Sequence, residues 1–284
     1  KLADVIYNTW IINTSIELTN NLLDKGEKPA VISAIMKQQT TDRARDVINL
    51  SMDIHAGASI CLGYSNFLEK FYRSGPIGIT VEGSNTLTKS LIIFGQGLNK
   101  SHPYIGNIVD NILNNDKDKL YDNVKSIVNH SFKLYFKSLV PEFSNDIEKK
   151  LNKQIINFAN LSNFIALKGG AIKQEQYLSG DMADIFSNLY LAHSVIWYHK
   201  NYYVSLKLTN YCVERLLNEN KILFNRVLDN NKVIKPLLYH LQYSIDNDSY
   251  KSKNDIIDEI IENKEILNVL EKDIITKNTV LEDL

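Results

Sequence analysis

The sequence has no long hydrophobic run, no secretory leader and no cysteine framework. None of its apolar stretches approaches the roughly 20 residues that a helix needs to span a bilayer, and no stretch reads as a signal peptide. The two cysteines, Cys61 and Cys212, are too far apart to indicate a metal motif or a disulfide scaffold. These absences predict free thiols, no metal and a cytoplasmic protein.

Excess charge of one sign is absent as well. Lys and Arg together number 32 against 33 Asp and Glu, so charge gives no reason to expect a nucleic acid partner. The 5 prolines and 12 glycines are too few for the many turns of an all-β fold. Because the apolar residues recur at spacings of three and four, the sequence predicts an all-α fold.

Two long helical patterns open the chain. An apolar stripe indicates a first helix, for which Gly26 is a candidate C-cap, and Pro29 stands where a second helix begins. The stripe consists of Leu2, Val5, Thr9, Ile12, Ile16 and Leu23. We expect the second helix to run to about residue 53.

The middle of this second helix, over residues 37–45, is unusually polar. Such a stretch faces solvent, a partner or a polar cavity. We interpret Arg43 and Arg45 within it as part of a solvated face, with phosphate contacts as the alternative.

An irregular segment over residues 74–84 follows a short helix around residues 67–72. Ser84 or the asparagine after it can cap the next helix. We expect that helix to end at the glycines 95 and 97.

The break between residues 97 and 103 is the predicted domain boundary. Beyond it the pattern is helical almost to the end, except for a polar loop expected over residues 246–254. The sequence begins at Lys1 inside a helical pattern and not at a methionine, so we expect a piece of a longer protein. The expected organisation is a domain over residues 1–100 and a helical extension over residues 101–284.

Glu82 is the first candidate for chemistry because it lies between an apolar dipeptide and a helix start, flanked by small residues. A carboxylate in such a place can act as a base near neutral pH when it is removed from water. The alternative is a glutamate that only interacts with the dipole of the following helix. Pattern alone favours this second interpretation because single acidic residues are common.

Longer motifs around this glutamate resemble those of one enzyme family. Residues 76–88 read PIGITVEGSNTLT, which closely resembles the catalytic segment of bacterial long-chain acyl-CoA dehydrogenases. Further similar stretches are KPAVISAIMK at 28–37, IIFGQG at 92–97, HPY at 102–104, SNLYLA at 187–192 and IKPLL at 234–238. The resemblance extends to about residue 243. It implies the family's C-terminal helical bundle over residues 1–100, followed by the bacterial subgroup's extension.

The resemblance also implies roles for single residues. Glu82 stands at the position of the base that removes a proton next to the thioester carbonyl, while a hydride passes to the flavin of FAD. Gly83 would let the acyl thioester approach the backbone closely. Ser84 and Thr86 stand where relatives contact the flavin cofactor.

By the same resemblance, Asp53 and Gly57 stand where relatives touch the adenine end of FAD in a neighbouring subunit, with Asp53 replacing a glutamine. This implies a homo-oligomer. The family's active unit also has N-terminal helical and β-barrel domains, and no series of alternating strands represents a barrel here. The implied partners are therefore a fatty acyl-CoA, an electron-accepting flavoprotein and the missing N-terminal and β-barrel portion.

Three functions follow as hypotheses. The first is a fragment of a flavin-dependent acyl-CoA dehydrogenase that oxidises fatty acyl-CoA to trans-2-enoyl-CoA in fatty acid β-oxidation. The second is a non-catalytic helical interaction module or split-gene remnant. The third is an acyl-CoA oxidase, which uses the same base but gives its electrons to oxygen. The extension could dock on the catalytic domain, on a second subunit or near a membrane surface.

Overall fold

The computed structural model describes residues 1–64, 66–97, 103–245, 249–272 and 274, without the side chain of residue 109. Its α-helices are α1 (Leu2–Asp24), α2 (Ala30–His55), α3 (Leu68–Thr80), α4 (Asn85–Leu87), α5 (Ile105–Leu113), α6 (Lys117–Leu139), α7 (Ile147–Ala166), α8 (Gln176–Tyr202), α9 (Leu206–Asp229), α10 (Tyr250–Glu262) and α11 (Lys264–Glu271). A π-helix over Thr88–Gln96 continues α4, and 3₁₀ turns cover Ala56–Ser59, Gly169–Lys173 and Tyr239–Leu241. The described residues contain no strand, which confirms the all-α prediction.

Helix α1 has the expected extent but buries a different face from the predicted stripe. Leu2, Ile16 and Leu23 of the stripe are exposed. The buried face consists of Ala3, Ile6, Tyr7, Asn8, Trp10, Ile11, Thr14, Ser15, Leu18 and Thr19. Hydroxyl groups can enter this face because each donates to a carbonyl one turn earlier, as Thr14 does to Trp10 at 3.0 Å. The predicted C-cap is confirmed, since Gly26 has a left-handed φ of 82° and its amide donates to Leu23 O.

The irregular segment predicted over residues 74–84 is helical up to residue 80 and irregular only over residues 81–84. Helix α3 continues to Thr80 with Pro76 inside it. Proline removes one backbone hydrogen bond and normally disfavours a helix interior. In this part of the helix, α3 lies close to α2, since a Cβ atom on Gly78 would stand only 3.3 Å from the Thr41 methyl group.

Three other local predictions have mixed outcomes. The cap predicted at Ser84 or the following asparagine is confirmed at Ser84, since its hydroxyl accepts from Leu87 N at 3.4 Å. That helix does not end at Gly95 but reaches Gln96 in π form. Of the polar loop expected over residues 246–254, residues 246–248 lie outside the described part of the chain, and α10 already begins at Tyr250.

The hydrophobic core draws on both halves of the chain. Trp10, Ile35 and Phe94 from the first half belong to the same buried cluster as Met182 and Phe224 from the second. The break that we expected between residues 97 and 103 lies mostly in residues 98–102, outside the described residues. The division into residues 1–100 and 101–284 therefore stays a prediction, and the two regions pack on one core.

Ser205 is expected to stabilise the start of α9, because its hydroxyl accepts from Leu208 N at 3.1 Å and donates to Glu259 of α10 at 2.6 Å. Replacing Ser205 with alanine should lower the free energy of unfolding by about 1 kcal/mol, the usual cost of a lost N-cap. Urea denaturation of Ser205→Ala measures this. Ser33→Ala is the control, because the Ser33 hydroxyl bonds only to Pro29 O of its own first turn. Equal losses in the two variants would contradict the capping role.

Candidate functional site

Glu82 lies on a tight turn between α3 and the π-helix region. Helix α3 ends at Thr80, Val81 is extended, and Glu82 and Gly83 then adopt left-handed φ angles of 54° and 95°. Such angles suit glycine but are uncommon for other residues, so the turn must be held by its surroundings. A Cβ atom added to Gly83 would meet nothing within 4 Å, so one side of the turn is open to an approaching ligand.

The Glu82 side chain is exposed to solvent, as are Gly83, Ser84 and Thr86. The structure thus brings these four predicted residues together on one surface. The environment that a catalytic base requires, closed to water, is not formed around Glu82 by the described residues of this chain. Apolar side chains beside the turn are also exposed, namely Ile77, Val81 and Leu87. An exposed apolar surface around a polar turn is typical of a face that another protein portion covers.

Two residues that sequence reasoning did not select as functional hold this turn. The Lys37 ammonium donates to Gly83 O at 2.7 Å, to Asn85 Oδ1 at 2.6 Å and to Ile79 O at 3.2 Å. The buried Asn85 amide nitrogen in turn donates to Asp42 Oδ1 at 2.8 Å and to Thr41 Oγ1 at 2.9 Å. The turn is therefore tied to α2 on both sides of Glu82.

The residues of α2 that bond to the turn belong to the polar stretch over residues 37–45. Most of this stretch is not a solvated face. Gln38 and Gln39 are buried, and the Arg43 side chain is only 11% exposed. Arg43 donates to Asn8 Oδ1 of α1 at 2.7 Å, so its interpretation as a solvated residue is wrong. Arg45, by contrast, is exposed, in agreement with its interpretation as part of a solvated face. Of the three alternatives for this stretch, the structure supports polar contacts inside the protein.

A buried cluster around Tyr7 extends the polar network to α9. The Tyr7 hydroxyl donates to Glu219 at 2.9 Å, and the Arg215 guanidinium lies 4.0 Å from the centre of the Tyr7 ring. Burial and the Glu219 carboxylate raise the pKa of Tyr7 well above its ordinary value, so the phenol stays protonated. Arg215 also donates to Asp4 at 2.6 Å. Arg43 of α2 lies 5.4 Å from the centre of the Tyr7 ring, so the cluster joins α1, α2 and α9.

A second link runs from the π-helix to α8. The Lys89 ammonium lies 2.5 Å from Asp184 Oδ2. Burial raises the pKa of Asp184 above its ordinary value, although Lys89 acts in the opposite direction. The pair connects the segment that follows Glu82 with the second half of the chain.

Asp53 and Gly57 do not join the Glu82 surface. Asp53 lies 16 residues beyond Lys37 on α2, which is roughly 24 Å further along the helix. Its carboxylate accepts from Lys1 Nζ at 2.8 Å. Gly57 is exposed in the 3₁₀ turn that follows α2, and a Cβ atom there would meet nothing within 4 Å.

The candidate residues fit one side of a flavin cofactor site and not a whole pocket. The Ser84 and Thr86 side chains are at the surface next to the open Gly83 turn. Two sizeable clefts, of about 720 Å³ and 960 Å³, lie elsewhere, and neither is lined by Glu82, Gly83, Ser84 or Thr86. The described residues of this chain therefore form at most part of a cofactor site around the turn.

The described ranges form neither a membrane-spanning helix nor a metal site. No helix there combines the length and the apolar character that crossing a membrane requires. No group of three or more His, Cys, Asp and Glu side chains there could hold a metal ion.

Comparison with known proteins identifies the family. Residues 99–282 match the family described as "Acyl-CoA dehydrogenase, C-terminal, bacterial type". The crystal structure of an acyl-CoA dehydrogenase from Bacillus anthracis, complexed with FAD, matches with a TM-score of 0.70 and 18% sequence identity. The match covers 92% of this chain and 48% of the other, so this chain spans about half the length of that enzyme. Because the family match includes well over half of the sequence, the chain belongs to the bacterial-type family of acyl-CoA dehydrogenase C-terminal regions.

Proposed function

We propose that this chain supplies the catalytic base and one side of the flavin site in an acyl-CoA dehydrogenase. The proposed enzyme oxidises a long-chain fatty acyl-CoA to the trans-2-enoyl-CoA, as fatty acid β-oxidation requires. The main observation in support of this proposal is the Glu82–Gly83 turn, which presents a carboxylate and an open backbone on a surface bordered by exposed apolar side chains. An N-terminal helical and β-barrel portion, in the same polypeptide or in a partner, would cover this surface.

The chain's own residues would act on the substrate at the turn. The Glu82 carboxylate would take the proton from the carbon next to the thioester carbonyl, which leaves the electron pair to form the new double bond. FAD, when bound, supplies the acceptor for the hydride from the neighbouring carbon. The open Gly83 backbone would let the thioester approach, and Ser84 and Thr86 would contact the flavin.

Covering the turn matters for this chemistry. A carboxylate removed from water is a stronger base, and a dry site strengthens the polarisation of the thioester carbonyl. The exposed Ile77, Val81 and Leu87 would supply apolar surface for that contact. The remote position of Asp53 and Gly57 fits a contact with FAD of a neighbouring subunit, so we propose a homo-oligomer.

A spectroscopic and product assay of the full-length protein that carries this chain tests the proposal. We expect bound flavin, seen by its visible absorption band, in roughly equimolar amount, and we expect this band to bleach when palmitoyl-CoA is added without oxygen. We expect hexadec-2-enoyl-CoA as the product, with electrons passing to an electron-transferring flavoprotein.

Two other outcomes would reject the dehydrogenase assignment. Stoichiometric hydrogen peroxide in air, without need for a flavoprotein acceptor, would identify an acyl-CoA oxidase. A colourless protein that neither binds added FAD nor converts palmitoyl-CoA would indicate the non-catalytic helical interaction module.

A further inference from the structure

Lys37 is the residue whose contacts bear most directly on the conformation of the Glu82 turn. Its ammonium group has three N–H donors. All three have acceptors in the structure, namely Ile79 O, Gly83 O and Asn85 Oδ1. Two of these acceptors are main-chain carbonyls that flank Glu82, one at the end of α3 and one directly after the glutamate.

The turn needs such a hold because its backbone is unfavourable for a glutamate. Glu82 has a φ angle of 54°, and Gly83 adds a second left-handed residue. Val81 N still donates to Ile77 O at 2.9 Å, and Glu82 and Gly83 then follow beyond the end of α3. A cation at the C-terminal end of α3 also interacts favourably with the carbonyl dipoles there.

The contacts of Lys37 with the turn rest on a buried group. Asn85 is 5% exposed, and its amide nitrogen donates to Asp42 and Thr41 of α2. The second oxygen of Asp42 accepts from the buried Gln38 at 2.7 Å. Lys37, Gln38, Thr41 and Asp42 therefore form one polar face of α2 on which the turn is seated.

We propose that Lys37 is a positioning residue for Glu82. It acts on the main chain of the turn and fixes where the carboxylate is presented to the substrate. The role rests on the proposed function, in which Glu82 is the base. Because the three donors are used by the turn, the role does not require direct contact between Lys37 and the substrate.

The test compares Lys37→Met with Lys89→Met in the full-length protein. Both variants remove one lysine that links two helical segments, but Lys89 bonds to Asp184 and not to the turn. We expect Lys37→Met to lower kcat by about 10²-fold, as small displacements of a reacting group do, with little change in KM or flavin content. Lys89→Met should keep kcat within about threefold of the wild type.

Amide hydrogen exchange over residues 81–87 provides the readout that does not depend on turnover. We expect faster exchange there in Lys37→Met and wild-type exchange in Lys89→Met. Lys37→Arg retains the cation but has a planar head group, so it should fold and recover only part of the kcat. If Lys37→Met does not fold, the same comparison uses Lys37→Arg.

Distinct results separate the failure of this proposal from that of the proposed function. Unchanged kcat in Lys37→Met, or lost kcat without faster exchange at the turn, would overturn the positioning role. Absence of dehydrogenase activity in the wild-type protein would refute the proposed function, and with it the catalytic purpose of the turn. Amide hydrogen exchange over residues 81–87 would then still show whether Lys37 holds the turn.

Discussion

Replacing Glu82 with glutamine in the full-length protein should lower kcat for palmitoyl-CoA by about 10²–10⁴-fold, the usual contribution of a general base. Glutamine has nearly the same shape, but its amide cannot accept the α-proton. The Glu82 side chain is exposed and lies outside the core, so the melting temperature should not change. Bound flavin, measured by absorbance, should remain because the Gly83 turn and the Ser84 cap do not depend on the carboxylate.

The control for this experiment is Glu27→Gln. Glu27 is also exposed, but it lies in the connection between α1 and α2, away from the turn. The Glu27→Gln variant should retain wild-type turnover. Glu82→Asp keeps a carboxylate and shortens the side chain by one methylene group, so we expect a smaller loss than for glutamine. Wild-type kcat in Glu82→Gln would show that another group removes the proton.

Much of the architecture was predictable from the sequence for local reasons. The Gly26 C-cap, the start of α2 after Pro29 and the N-cap at residue 84 follow from residue chemistry that acts within one helical turn. The continuation of α3 through Pro76 did not follow from local chemistry. In the structure this part of α3 packs closely against Thr41 of another helix, a contact that no local pattern contains.

The buried face of α1 was mispredicted for a related reason. The predicted stripe used aliphatic residues, whereas the buried face includes Tyr7, Thr14 and Ser15. Their polar groups become acceptable only through partners, such as the bond from Tyr7 to Glu219, which lies 212 residues away in sequence.

The candidate site could be predicted from the sequence only in part. The motif around Glu82 resembled a known family, but the residues that hold its backbone lie on α2. Residues 37 and 41 are four positions apart, and so are residues 38 and 42. This spacing was visible in the sequence as a polar stripe on one helix face. What the stripe contacts could not be deduced, because Asn85 is 43 residues from Asp42 in sequence.

The largest effect on stability is expected from Trp10→Ala. Trp10 is 1% exposed and packs edge-on against Tyr198 of α8, with ring centres 5.5 Å apart. Truncating a buried tryptophan to alanine usually costs about 3–5 kcal/mol of unfolding free energy. Trp10→Phe should cost much less, since the buried indole N–H has no hydrogen-bond partner among the described residues, so its loss removes no such bond.

Trp197→Ala is the matched control, because the sequence has only two tryptophans and Trp197 is half-buried at the edge of the core. We expect it to cost less than Trp10→Ala when both are measured by chemical denaturation.

Hydrogen exchange in Trp10→Ala would also test how the two halves of the chain are coupled. Trp10 of α1 belongs to the same buried cluster as Phe224 of α9. If both regions unfold as one unit, the variant should reduce amide protection in α9 by the same free energy as in α1. Loss of protection in α1 with unchanged protection in α9 would show that the shared core joins two independently stable units. The extension would then be a separate domain that packs against α1 and the π-helix through the shared buried cluster.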